Sequence, residues 1–216
     1  MKNLGHFEKV LLNIADEGLR EFVRFFLDEH TPDYFWTCGA SSSGKYHPAF
    51  AQGKGGLVRH TIAGAIFMEE VLRFSPFCYL SDEHKDLCRV AIILHDTRKY
   101  GADSEMDKGA YKMHAPNAAD AVAVAWQIYF DDTAPEWLLS AIRTHMGQWS
   151  EREYRPMTNL DRAVHTADYW ASRPQIDIPG IVAEWEQIEK AGATPAPISL
   201  DETDLPFYIK EENGNG

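Results

Sequence analysis

The sequence predicts an all-α protein, and three observations predict it. Apolar residues recur at i, i+3 and i+4 in segment after segment. Alternating apolar and polar runs, the mark of half-buried strands, are scarce. Glycine, proline and small polar residues fall where helices start and stop. Over residues 7–29, Val10, Leu11, Ile14, Leu19, Phe22, Val23 and Phe26 predict a first helix. Residues 31–56 are rich in Gly, Ser and Pro and predict a loop. From Leu57 to Phe74, Ile62, Ala65, Ile66, Met68 and Leu72 give the second helix. From Asp82 to Tyr100, Leu87, Val90, Ala91 and Leu94 give the third, and Gly101 suits its stop. A polar loop runs to His114. Pro116 then favours a helix start, which "NAADAVAVAWQIYF" continues. "TAPE", 133–136, reads as a capping box opening a helix to about His145. Asn159 is placed to cap a helix to about Ser172. "IPGIVAEWEQIEKAG" predicts the last amphipathic helix, with Gly192 at its end, before a polar, frayed tail.

The bulk numbers narrow the class. A chain of 216 residues suits one domain with an extension, and 44% hydrophobic residues can build a core without disulfides or metal staples. A net charge of −12 opposes a protein that coats long nucleic acid, while a local basic pocket for one small anion stays compatible with it. The cysteines, Cys38, Cys78 and Cys88, form no C-x-x-C pair and read as reduced thiols. Acids interrupt the apolar positions of the N-terminal segment, which argues against a signal peptide, and no apolar run is long enough to span a membrane. These features lead us to expect a soluble, cytoplasmic protein.

The stretch "CGASSSGKYHP", Cys38 to Pro48, nearly spells the phosphate-cradling pattern G-x-x-x-x-G-K-[ST]. Tyr46 stands where the magnesium-holding hydroxyl belongs, and Pro48 disfavours the helix that should open there. The stretch therefore does not read as a P-loop.

The informative residues are histidines and aspartates that continue apolar stripes. His60 follows "GGLVR". His95 and Asp96 end "LCRVAIILHD". His145 shares a stripe with Leu138, Ala141 and Ile142, and Asp168 shares one with Leu160 and Val164. Burying imidazoles and carboxylates is costly unless they are paired or bound to metal. Several such stripes converging suggest one shared partner. Imidazole plus carboxylate suits Fe, Mn, Ni, Zn or Co, and the lack of sulfur ligands argues against a structural zinc site. A lone histidine on such a face is more often a satisfied core residue, and spacing alone leaves the two readings balanced.

The ordered series "GGLVRH", "ILHDTRK", "KMH", "THMGQW" and "VHTADYWASR" resembles the HD-domain metal-dependent phosphohydrolase superfamily, most of all its phage-type and exoribonuclease-like branch. The resemblance spans about residues 40–175. It implies an HD-domain helical bundle with a C-terminal helical extension: a core over 1–175, then a helix and polar tail over 176–216. It also implies that His60, His95, Asp96 and Asp168 hold one divalent ion and that, as in the family's two-metal members, Asp96 would bridge to a second held by His114 and His145, so the chain would hold one or two ions. The metal could be Fe, Mn, Ni, Co, Zn or Mg. Asp96 and Lys99 would be catalytic, Lys99 matching the lysine of the family's HD-x-G-K pattern as a phosphate contact. Arg98 replaces the glycine of that pattern. Arg59, Arg98, Gln148, Trp149 and His165 are further candidates for substrate contact. Ser41–Lys45 would form a lid or phosphate-contact loop, with Lys45 on the phosphate, or else a plain solvated connector.

The expected activity is hydrolysis of a phosphomonoester or phosphodiester in a nucleotide or short oligonucleotide. The expected partner is a small phosphorylated substrate, with no membrane and no long nucleic acid. Two alternatives share the ligand series or the fold. One is a di-iron HD-fold oxygenase, marked by oxygen consumption without phosphate release. The other is a non-catalytic nucleotide-binding or partner-binding domain, marked by binding without turnover.

Overall fold

The computed structural model describes residues 2–41, 46–102, 105–107, 109–149 and 155–192. Among these the chain forms nine α-helices and no strand: α1 (Glu8–Leu11), α2 (Glu17–Phe25), α3 (Asp33–Thr37), α4 (Gly56–Val71), α5 (Asp82–Leu94), α6 (His114–Phe130), α7 (Glu136–Thr144), α8 (Asn159–Ala171) and α9 (Ile181–Ala191). The protein is all-α, as its sequence predicts. None of these helices is long and apolar enough to cross a membrane.

The bundle is organised around α5. Val90, Ala91, Ile92 and Leu94 are wholly buried, so its C-terminal half is apolar on every side, as a helix surrounded by others must be. It packs against α4, α7 and α8; α4 also packs on α8, and α6 on α7. Gly64 of α4 lets α5 approach closely, because a Cβ there would lie 3.0 Å from Ile92 Cγ1. His60 lies one turn before Gly64 and His95 one turn after Ile92, and their ring centroids are 5.5 Å apart.

Several boundaries depart from the sequence reading, each for a local reason. The predicted 7–29 helix is broken at residues 12–16. Asp16 caps α2 through the backbone N–H of Leu19, while the N–H groups of Ala15 and Asp16 donate to the buried carboxylate of Asp86. That tertiary anchor outweighs the local periodicity. The chain beyond α2 continues as a π-helical turn, Phe26–His30. Residues 31–56 contain α3 and a 3₁₀ turn at Ala49–Ala51. The "TAPE" capping box does not form: Pro135 is the N-cap and makes no side-chain cap bond. Thr158, not Asn159, caps α8, in a capping box with Asp161. Helix α5 ends at Leu94, so His95 and Asp96 lie in the tight turns beyond it.

Helix α9 is latched onto the start of α4. The Trp185 ring stacks on His6 at 5.6 Å and 10°, and the guanidinium of Arg59 lies 4.7 Å from the centroid of the same indole. His6 Nε2 is 3.0 Å from Glu189 Oε1. Gly55 takes φ +69°, and a Cβ on it would lie 2.4 Å from the Trp185 ring, so only glycine fits the indole there. Gly56 is equally constrained, its Cβ position lying 2.2 Å from the Ala51 carbonyl oxygen.

Trp185→Ala should undock α9. We expect a stability loss of roughly 2 kcal/mol, below the range for a fully buried tryptophan because Trp185 is half-buried. Urea denaturation measures the loss, and hydrogen exchange should show it concentrated in α9.

Candidate metal centre

Five segments deliver the polar cluster. His60 comes from α4, His95 and Asp96 from the turn after α5, His114 from the first position of α6, His145 from the end of α7, and Asp168 from α8. His60, His95, Asp96, His114 and His145 are each at most 2% exposed, and Asp168 is half-buried. The apolar stripes of α4, α5, α7 and α8 are therefore what bring these polar ends together.

Asp96 is the hub. Its Oδ2 lies 3.6 Å from His60 Nε2, 3.7 Å from His95 Nε2 and 2.7 Å from Lys99 Nζ. Its Oδ1 lies 3.0 Å from His114 Nε2 and 3.6 Å from His145 Nε2. Asp168 Oδ1 closes the first side, 3.1 Å from His60 Nε2 and 3.5 Å from His95 Nε2. His114 Nε2 and His145 Nε2 face each other at 3.0 Å.

The imidazoles are oriented from behind. His95 Nδ1 is 2.7 Å from the Ile92 carbonyl, and His145 Nδ1 is 2.7 Å from that of Ile142. A carbonyl takes the N–H of that nitrogen, which leaves each Nε2 as the atom turned to the cluster, the usual arrangement behind a metal-binding histidine. His60 Nε2, His95 Nε2 and Asp96 Oδ1 are buried without an aligned hydrogen bond, despite these short approaches. Such crowding of unsatisfied ligand atoms fits a shared cation. By mutual distance, His60, His95 and Asp168 form one possible ion-holding group and His95, Asp96 and His145 another. His95 has only one nitrogen to offer, since its Nδ1 is committed to Ile92. Asp96 has two oxygens facing two sides, so its carboxylate could serve an ion on either side.

Charge balance follows from the packing. Burial alone would raise Asp96, but Lys99, His95, His114 and His145 hold its carboxyl well below the usual range. Burial would likewise raise Asp168, and His60 and His95 hold it well below. Burial would lower His95, and the two carboxylates overcome this and raise it. Burial pushes His145 down to about 4, against the opposing pull of Asp96. Lys99 would be lowered by burial, yet Asp96 raises it.

Of the other candidates, His165 sits behind the cluster, its Nδ1 2.7 Å from the His145 carbonyl, and Gln148 and Trp149 lie exposed on the turn after His145. Lys45 and its neighbours 42–44 lie outside the described residues. Two arginines are directed elsewhere. Arg59 donates to the carbonyls of Phe50, Gln52 and Lys54 and stacks on Trp185, because one helical step turns it about 100° from His60. Arg98 is buried, donates to the Thr97 carbonyl and lies 5.8 Å over the Phe26 ring, in the core instead of the cluster.

One residue escaped the sequence reading. His47 places its ring 5.1 Å from that of His60, and its Nδ1 is buried without a partner. Burial first, then the nearby His60 and Lys99, push its pKa down to about 3, so its imidazole is neutral. Its signal in the sequence is a "YHP" directly ahead of the "GGLVRH" helix, but a loop residue carries no periodicity to show where it faces.

A helical bundle that gathers buried histidines and aspartates from five segments into one cluster has the makings of a metal-binding domain. Residues 57–172, just over half of the 216, match the HD domain family, and the chain belongs to that family. HD domains are in general metal-dependent phosphohydrolases that bind divalent ions. No curated protein and no solved structure matches the chain.

Asp96→Asn should keep the helical circular dichroism of the parent while metal content, read by elemental analysis, falls to background. His145→Ala should lower the stoichiometry at saturating metal from two ions toward one, with His60, His95 and Asp168 retaining the other. A parent protein that stays at one ion under excess metal would rule out the binuclear arrangement.

Proposed function

We propose that the chain is a divalent-metal-dependent phosphohydrolase that cleaves a phosphomonoester or phosphodiester of a nucleotide or short oligonucleotide. The observation that carries this reading is the division of the Asp96 carboxylate. One oxygen faces His60 and His95 and the other faces His114 and His145, which suits two ions sharing one bridge. The resemblance of the motif series to the phage-type and exoribonuclease-like branch supports a phosphate ester of a nucleotide.

Divalent ions held by His60, His95, Asp96 and Asp168, and by Asp96, His114 and His145, would activate water near neutral pH and polarise a phosphoryl oxygen. The chain supplies the rest. Asp96 and Asp168 bring the negative charge that holds cations in a buried place. Lys99, its ammonium 2.7 Å from Asp96 Oδ2, is the cation best placed to neutralise a phosphoryl oxygen at the cluster. His47, neutral and with a free Nδ1, orients a hydrogen-bonding group seated on the His60 side. The net charge of −12 keeps long phosphate polymers at a distance, while Lys99 and bound ions attract one phosphate group.

The decisive experiment is a metal analysis followed by phosphate release from a nucleotide and short-oligonucleotide panel. Turnover with Mn²⁺ or another divalent ion, abolished by Asp96→Asn and reduced at least tenfold by Lys99→Ala, is the expected result. Steep, salt-sensitive binding of long RNA or DNA with no turnover of small substrates would overturn it. Oxygen consumption by the iron form without phosphate release would select the oxygenase instead.

A further inference from the structure

Trp149 is 55% exposed on the turn that follows His145. Its ring lies nearly parallel to that of Tyr169, at 16° and 6.0 Å between centroids. The guanidinium of Arg173 covers Tyr169 at 4.1 Å and is 5.8 Å from the Trp149 ring, held there by the Tyr169 carbonyl and the Ser172 hydroxyl. Beside this stack opens a cavity of about 220 Å³ lined by Gln148, His165, Thr166 and Tyr169.

The stack and the cavity adjoin two of the cluster residues along the chain and through one hydrogen bond. Tyr169 directly follows Asp168 on α8, and His165, one turn earlier, holds the carbonyl of His145. The rim is fixed from below, because Gly147 takes φ +59° and packs so tightly on His165 that a Cβ would lie 2.2 Å from its Cε1. Gln148, which lines the cavity, and Trp149, which stacks on its Tyr169 wall, follow directly on that fixed glycine.

An exposed indole, a stacked phenol with an arginine over it, and an amide that both donates and accepts match the chemistry of a flat ring with polar edges. A sugar phosphate alone offers no π-face to such a surface. We propose that Trp149, Tyr169 and Gln148 form a base-stacking subsite, so that the substrate of this centre is a nucleotide whose base lies on Trp149 while its phosphate faces Asp96 and Asp168. This rests on the phosphohydrolase reading above and names the part of the substrate that gives it specificity. Stacking tolerates any base and favours the larger purines.

The test compares adenosine 5′-monophosphate with ribose 5-phosphate, which shares the sugar and phosphate and lacks the base. Binding to the full Mn²⁺-loaded chain is measured by calorimetry for the parent, Trp149→Ala and Trp149→Phe, with metal content and circular dichroism confirming that each variant is intact. Trp149→Ala should weaken the nucleotide about tenfold or more, the scale of one lost stacking contact, and leave ribose 5-phosphate within about twofold. Trp149→Phe should restore most of the nucleotide affinity. Loss of the parent's tryptophan fluorescence on adding the nucleotide, reduced in Trp149→Phe, is the independent readout. Equal affinity of the parent for both ligands, or equal weakening of both by Trp149→Ala, overturns the subsite and leaves the phosphohydrolase reading standing. Failure of the parent to bind the nucleotide overturns the subsite, while the phosphohydrolase reading is overturned only by absence of phosphate release across the nucleotide and short-oligonucleotide panel.

Discussion

A carboxylate that is 1% exposed must be neutralised, and Asp96 is that carboxylate. Its attraction to Lys99 and to four imidazoles, set against its loss of water, is the constraint around which the bundle is arranged. Helices α4, α6 and α7 each carry a histidine to it, α5 leads directly into it, and α8 brings a second acid beside it. A buried charge cluster of this kind contributes little net stability by itself. The apolar stripes must therefore supply the folding free energy, and the all-round burial of α5 is where they do so.

Support for the cluster comes from residues that never touch it. The Tyr34 hydroxyl donates to the Gly101 carbonyl and accepts from the Tyr100 N–H, so it pins the turns that follow Asp96. Burial pushes the Tyr34 phenol up to about 12, which keeps it a donor throughout the physiological range. Asp86 plays the same part at the other end of α5. It accepts from Ala15 and Asp16 and pairs with Arg89, which in turn holds Glu69 of α4. Both ends of the central helix are thus tied to the N-terminal segment by polar contacts, while its middle is tied to α4, α7 and α8 by apolar ones.

Much of this was legible in the sequence, because the same stripes that fold the helices also end in the polar residues. His60, His95, His145 and Asp168 could be read that way, and the order of the motifs added His114. Contacts made across the fold were not legible. Asp86 interrupts an N-terminal pattern that looked like one helix, and Pro135 displaces a capping box whose residues are all present. His47 lies in a loop with no period to follow. Arg59 is one residue from His60 and Arg98 two from Asp96, yet a step or two along a helix or turn is enough to send a side chain into different surroundings. The domain division and the roles of the site residues rest on the resemblance and on chemistry.

The glycine pair ahead of His60 divides the segment "GGLVRH" into parts that answer to different demands. Gly55 and Gly56 are required by the Trp185 indole and the Ala51 carbonyl, and Arg59 by three loop carbonyls, so these positions serve shape. Within the segment only the final histidine reaches the Asp96 and Asp168 carboxylates. A descendant that kept the glycines and the arginine but exchanged the histidine would hold its architecture with an altered polar cluster. The surrounding shell could then be inherited by a pure sensor, or be given a different ligand set by design, without rebuilding the bundle.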